Sequence, residues 1–148
     1  MQSLKVKDVM TRDVITITPD MTIRDAASRL ARNGIAGAPV VEGGRVIGMV
    51  TEQDLVRTIL PPAPTEGALS ALEVLAHVND VGIEQLDTPV SDSMSTLVVE
   101  ILPEASVWEA AGEMERRGVN RIPVVDEDGK LVGIVSRADL VRVMGEPR

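Results

Sequence analysis

Gly48-Met49-Val50-Thr51-Glu52-Gln53-Asp54-Leu55-Val56-Arg57 returns later in the chain as Gly133-Ile134-Val135-Ser136-Arg137-Ala138-Asp139-Leu140-Val141-Arg142. Each copy is a short apolar run, a hydroxyl residue, two variable positions, an aspartate and the start of an amphipathic helix pattern. A strand that turns directly into a helix leaves the first helical N–H groups without intrahelical partners. The aspartate three residues after the hydroxyl either caps that end or offers its carboxylate to something bound there.

Outward from these stretches the repetition covers most of the chain. Val6-Lys7-Asp8-Val9-Met10 matches Val90-Ser91-Asp92-Ser93-Met94, and the same spacing joins Pro19 to Pro103, Ala26-Ala27 to Ala110-Ala111, Gly34 to Gly118 and Pro39-Val40-Val41 to Pro123-Val124-Val125. One residue inserted in the second turn lengthens the spacing by one, so that Gly44 matches Gly129 and Asp54 matches Asp139. The chain is a duplicated unit.

Each unit reads β-α-β-β-α. Val14-Ile15-Thr16-Ile17-Thr18 alternates and is β-branched, which predicts a strand ending at Pro19. Thr22-Ile23-Arg24-Asp25 and Ser106-Val107-Trp108-Glu109 are capping boxes. Behind the first, Ile23, Ala26, Ala27, Leu30 and Ala31 share one helical face; behind the second, Val107, Ala110, Ala111 and Met114 do. Gly34 and Gly118 stand where a helix ends on a left-handed residue. Strands follow over Ala38–Val41 and Val46–Val50, around a glycine turn, and a last helix is expected to bury Leu55, Val56, Ile59 and Leu60. The first repeat spans 6–60 and the second 90–145. Between them, 61–89 opens on Pro61-Pro62-Ala63-Pro64 and carries a helix at about 66–78, a structural shield or a contact surface.

Composition bounds the function. With 148 residues, 44% hydrophobic, and neither Phe, Tyr nor Cys, the chain builds an aliphatic core and has no thiolate chemistry, disulfide or cysteine metal site. A formal net charge of −8 opposes binding to nucleic acid or anionic membranes. No apolar run is long enough to span a bilayer and no signal-peptide pattern opens the chain, which points to the cytoplasm. No Walker-type loop, dinucleotide fingerprint or metal cluster is present. His77 has no nucleophile or acid around it and reads as a packing or surface residue, and Asp8, Asp92, Glu100, Glu104 and Glu109 read as solvated charges. No catalytic residue is expected.

The duplicated β-α-β-β-α pattern resembles the tandem cystathionine-β-synthase domain, the CBS pair or Bateman module. The likeness rests on Ala38-Pro39-Val40-Val41-Glu42, Ile122-Pro123-Val124-Val125-Asp126 and the two glycine–apolar–Thr/Ser-x-x-Asp stretches. It implies an α/β (α+β) fold of two repeats related by pseudo-two-fold symmetry and joined by a helical inter-repeat segment. It also implies a stand-alone regulatory protein, not an enzyme, which senses AMP, ADP, ATP or S-adenosylmethionine in clefts between the repeats and signals to a protein target. Pairs of this family commonly dimerise. The alternative is a structural or protein-interaction module whose clefts stay empty.

By this resemblance Asp54 and Asp139 accept the ribose hydroxyls, since a carboxylate takes two O–H donors and charged acceptors bind more strongly than neutral ones. Thr51 and Ser136 stand at helix N-termini that favour phosphate. Plain capping is the competing reading of all four. Thr11, Ile35 and Ala36, with Ser95, Val119 and Asn120, are the adenine-pocket candidates, and the family combines the aspartate end of one repeat with strand and pre-proline residues of the other. Arg121 replaces Gly37 and Arg137 replaces Glu52, so the two sites are unequal; one is expected to be well occupied, with Arg121 holding a phosphate in the cleft that contains Asp54. Trp108 stands off the apolar face of its helix, where the first repeat has Arg24, and marks a homodimer interface.

Overall fold

Helix ends in this chain are written by short polar side chains and glycines. The computed structural model describes residues 4–60 and 84–147. In chain order these form α1 (Val6–Val9), α2 (Ile23–Asn33), β1 (Gly37–Glu42), β2 (Arg45–Thr51), α3 (Glu52–Ile59), a 3-10 turn (Val90–Asp92), α4 (Val107–Arg117), β3 (Arg121–Val125), β4 (Leu131–Ser136) and α5 (Arg137–Met144). Thr22 and Ser106 accept from the Asp25 and Glu109 amides at the starts of α2 and α4, and Gly34 and Gly118 close those helices at φ 61° and 64°. The expected helix at 66–78, with His77, lies outside the described residues.

The strands form two antiparallel hairpins, β1–β2 and β3–β4. The segments expected as first strands are shorter than the sequence suggests: Ile17 makes one parallel bridge to Val40, and Ile101 one to Val124. The Ile17 amide donates to the Pro39 carbonyl at 3.0 Å and its carbonyl accepts from Val41 at 2.8 Å. Beside it, the Thr16 carbonyl accepts from the Arg29 guanidinium at 2.8 Å.

The chain divides into two compact units that do not follow the repeat boundaries. One comprises Met1–Ile15, Glu42–Ile47 and Leu97–Arg148; the other comprises Thr16–Val41 and Gly48–Thr96. In the first, Thr11 and Ile134 exchange two backbone hydrogen bonds of 2.9 Å, and α1 seats Val6 and Val9 in a core with Ile101, Val107, Ala110, Met114, Ile122, Val124, Val135 and Val143. Burying one valine stabilises by about 1.5–3 kcal/mol, which accounts for a four-residue helix persisting there. Lys5 and Lys7 clamp Glu104 at 2.6 and 2.7 Å. The two ammonium groups hold its carboxyl down at about 2, so Glu104 is an ion-pair partner where a solvated charge was expected.

In the second unit Ser95 and Met49 exchange backbone hydrogen bonds of 2.8 and 2.9 Å, and Val90 is fully buried. Its core is Ile17, Ile23, Ala26, Leu30, Ala38, Val40, Val50, Leu55 and Val90. Ala31, Val56 and Leu60, expected on buried faces, are exposed. The eight residues of α3 bury Leu55 alone. Short helices present only one turn to a core, so a continuous apolar stripe overstates what they cover.

Candidate functional site

The two repeated strand–helix turns have nearly the same geometry. At the first, β2 delivers Thr51 as the cap of α3. The Thr51 amide donates to Asp54 Oδ2 at 2.9 Å, the Thr51 hydroxyl donates to the same oxygen at 3.0 Å, and the Asp54 amide returns a bond to Thr51 Oγ1 at 3.2 Å. At the second, the Ser136 amide donates to Asp139 Oδ2 at 2.8 Å and the Asp139 amide donates to Ser136 Oγ at 3.2 Å. Both turns are therefore reciprocal capping boxes, and the capping role is fulfilled.

Capping uses one oxygen of each carboxylate. The other, Oδ1, faces an exposed arginine one turn on: Arg57 at 3.6 Å from Asp54, and Arg142 at 3.5 Å from Asp139. Those separations exceed the roughly 2.7–2.9 Å of a strong charged N–H···O bond. Each aspartate side chain is 16% exposed, so it is held in place without being fully buried. A carboxylate offers about four lone-pair positions, so a cap and a bound hydroxyl are compatible on one residue.

The amides of the two turns complete the picture. The first helical amide of α3, Glu52, bonds the Ala36 carbonyl at 2.9 Å, and that of α5, Arg137, bonds the Asn120 carbonyl at 2.8 Å. Among the described residues, the next amides, Gln53 and Ala138, have no partner and lie at exposed positions. The pre-proline candidates thus sit beside the aspartate end of their own repeat, through Ala36 and Asn120.

Sorted by unit, the predicted residues fall into two complete sets. Thr11, Val119, Asn120, Arg121, Ser136 and Asp139 belong to one unit; Ile35, Ala36, Thr51, Asp54 and Ser95 belong to the other. Thr11 bridges to Ile134, two residues before Ser136, and Ser95 bridges to Met49, two residues before Thr51. Each set therefore takes its first-strand residue from the opposite repeat. Ile35 and Val119 follow the glycine caps, donating to Leu30 and Met114 carbonyls at 3.1 Å. Arg121 is the ladder partner of Ser136 in β3–β4, whereas Asp54 lies in the other unit. Arg57 and Arg142 were missed by sequence reasoning; the Asp-Leu-Val-Arg spacing common to both repeats is the signal that finds them.

Trp108 is 56% exposed. It borders an apolar pocket between α4 and α5 lined by Val107, Trp108, Ala111, Leu140, Val143 and Met144. Val141 and Met144 beside it are also exposed. Among the described residues no cluster of His, Cys, Asp and Glu fits a metal ion, and no helix is long and apolar enough to cross a membrane.

Comparison with known proteins finds the CBS domain family matching twice, over residues 6–61 and 90–146. The chain is 36% identical over 135 residues to the CBS domain-containing protein YhcV of Bacillus subtilis, covering 91% of this chain and 81% of that one. Protein MJ1225 of Methanocaldococcus jannaschii superimposes with a TM-score of 0.80 at 25% identity, over 97% of this chain and 49% of that chain. CBSX2 of Arabidopsis thaliana, in its complex with AMP, superimposes with a TM-score of 0.72 at 25% identity, over 95% of this chain and 96% of that chain.

Proposed function

The chain belongs to the CBS domain family, and from that premise we propose that it is a cytoplasmic, non-enzymatic regulatory module that binds an adenosine-containing nucleotide. AMP, ADP, ATP and S-adenosylmethionine are the ligand class. The observation that carries this reading is the division of labour within Asp54 and Asp139: Oδ2 caps the helix, while Oδ1 keeps one long arginine contact. A ribose diol fits that oxygen, and a hydrogen bond to a charged acceptor contributes about 1.5–3 kcal/mol. The AMP complex of CBSX2 supports the choice of ligand. Thr11, Val119 and Asn120 at one end, and Ser95, Ile35 and Ala36 at the other, border the adenine.

Signalling needs a ligand that binds two states of the module unequally. A protein target reads the shift, and the exposed Trp108, Val141 and Met144 around the α4–α5 pocket provide the surface on which a second copy associates. The test is thermal-shift titration with AMP, ADP, ATP, NAD and S-adenosylmethionine on wild type, Asp54→Ala and Asp139→Ala. A ligand at 100 times its Kd adds about 2.7 kcal/mol. A shift lost in either aspartate variant upholds the assignment, whereas no shift with any of the five compounds refutes it.

A further inference from the structure

The two repeats hold a methionine at the same place. Met10 and Met94 directly precede Thr11 and Ser95, and each backbone amide donates to a valine carbonyl, Val6 or Val90, at 2.9 Å. A Cβ built on Gly133 would lie 2.5 Å from Met10 Sδ, and one built on Gly48 would lie 2.6 Å from Met94 Sδ. Each thioether therefore fills the room a side chain would take on the strand that leads into Ser136 or Thr51. Both methionines are partly exposed, whereas Met114 is 2% and Met144 is 69% exposed. The chain has seven methionines and no cysteine, so thioethers are its only sulfur chemistry. Leucine would pack these two places at a similar volume, but it carries no oxidisable atom.

We propose that Met10 and Met94 are paired oxidation sites, at which a peroxide converts the thioether to a sulfoxide and loosens the strand–helix turn beside it. A sulfur lone pair attacks one peroxide oxygen, the O–O bond breaks and an S=O bond forms. The sulfur loses two electrons; the other oxygen takes them, with the proton of the first, and leaves as water. A flexible apolar side chain becomes a polar one. On the glycine side no room is left for the new oxygen, because the sulfur already stands where a Cβ would. The Thr11 carbonyl oxygen crowds the same point on Gly133 at 3.1 Å, and the Ser95 carbonyl oxygen crowds that on Gly48 at 2.9 Å. The sulfoxide must therefore carry the sulfur off the glycine. That movement pulls on the adjoining residue and its reciprocal backbone pair, Thr11 with Ile134 or Ser95 with Met49, two residues before the Ser136 or Thr51 cap. Methionine sulfoxide reductases reverse the chemistry, so the two sites form a reversible redox switch.

Hydrogen peroxide treatment of the full chain tests this, read by peptide mass mapping and by backbone amide exchange. Met144 is expected to gain an oxygen first, Met10 and Met94 next, and Met114 last, in the order of their exposure. As Met10 and Met94 are oxidised, exchange at the Thr11, Ile134, Met49 and Ser95 amides speeds up about tenfold, and a methionine sulfoxide reductase slows it again. Met10→Leu combined with Met94→Leu keeps the untreated exchange rates and loses the response, although Met21 and Met49 are still present in it. Met144→Leu keeps the full response. Met10 and Met94 left intact after Met144 is fully oxidised would overturn the proposal, as would their oxidation with those four amides unchanged. A double-leucine variant that responds as strongly as wild type assigns the effect to other methionines and overturns it equally.

Discussion

Gly48→Ala is the sharpest test of how the second unit is put together. A Cβ at Gly48 would lie 2.6 Å from Met94 Sδ and 2.9 Å from the Ser95 carbonyl oxygen. Met94 can swing aside, but the Ser95 carbonyl is backbone and is fixed by its 2.9 Å bond from the Met49 amide. The strand must retreat, which strains or breaks the reciprocal Met49–Ser95 pair. Losing two backbone bonds costs about 1–3 kcal/mol and the overpacking about 1–3 more, offset by about 0.4–1 from the stiffer unfolded chain. The net expectation is a loss of about 2–4 kcal/mol. Urea unfolding followed by circular dichroism reads it, with Gly112→Ala as control. Gly112 lies inside α4, where the nearest atom to a new Cβ is Arg116 Nη1 at 3.3 Å, the end of a flexible side chain. That change should stabilise by about 0.5–1 kcal/mol. A Gly48→Ala protein within about 0.5 kcal/mol of wild type would refute the close-approach argument.

Asp54→Asn and Asp139→Asn should each keep the cap, because an amide oxygen still accepts the Thr51 or Ser136 amide, and so lose less than about 1 kcal/mol of stability. Nucleotide affinity should fall about tenfold in the variant whose site is occupied, measured by calorimetry. Trp108→Glu should shift sedimentation from dimer to monomer, and an unchanged dimer would dismiss the α4–α5 surface as the contact. Glu104 titrates at about 2 in the folded state against an ordinary 4.5, so its contribution is present above 4.5 and disappears as pH falls from there through 2. Glu104→Gln should therefore unfold at lower urea than wild type at pH 7, with the gap closing by about pH 2 and narrowing in high salt. A gap independent of pH would mean the Lys5–Glu104–Lys7 clamp has no electrostatic role.

The duplication, the helix caps and the left-handed glycines were all legible, because each is a local pattern that local hydrogen bonds enforce, although Thr22 and Ser106 form only the hydroxyl half of the capping boxes expected there. The chain exchange was expected only from the family resemblance, not from the residues themselves. Nothing near Thr11 announces Ile134 as its partner, since a bridge across that separation is chosen by the whole core rather than by neighbours in sequence. The strand at Val14–Thr18 shortened to a single bridge at Ile17 for a related reason: propensity registers β-branching but not how much of the segment a neighbouring strand reaches. At the site, both candidate roles of the aspartates were foreseen as rivals. The structure shows the cap realised on one oxygen, which leaves the second oxygen for the proposed ligand role. The Arg121–Ser136 pairing was within reach, because a hairpin turning near Gly129 brings 121 opposite 136.

The most direct measurement of the central claim is a crystal structure of the protein grown with saturating AMP. The account predicts the ribose hydroxyls within about 3.2 Å of the Oδ1 atom of Asp139 or Asp54, with the capping bonds from Ser136 and Thr51 intact. AMP bound with both carboxylates untouched, or an aspartate that abandons its cap to reach the ribose, would contradict it.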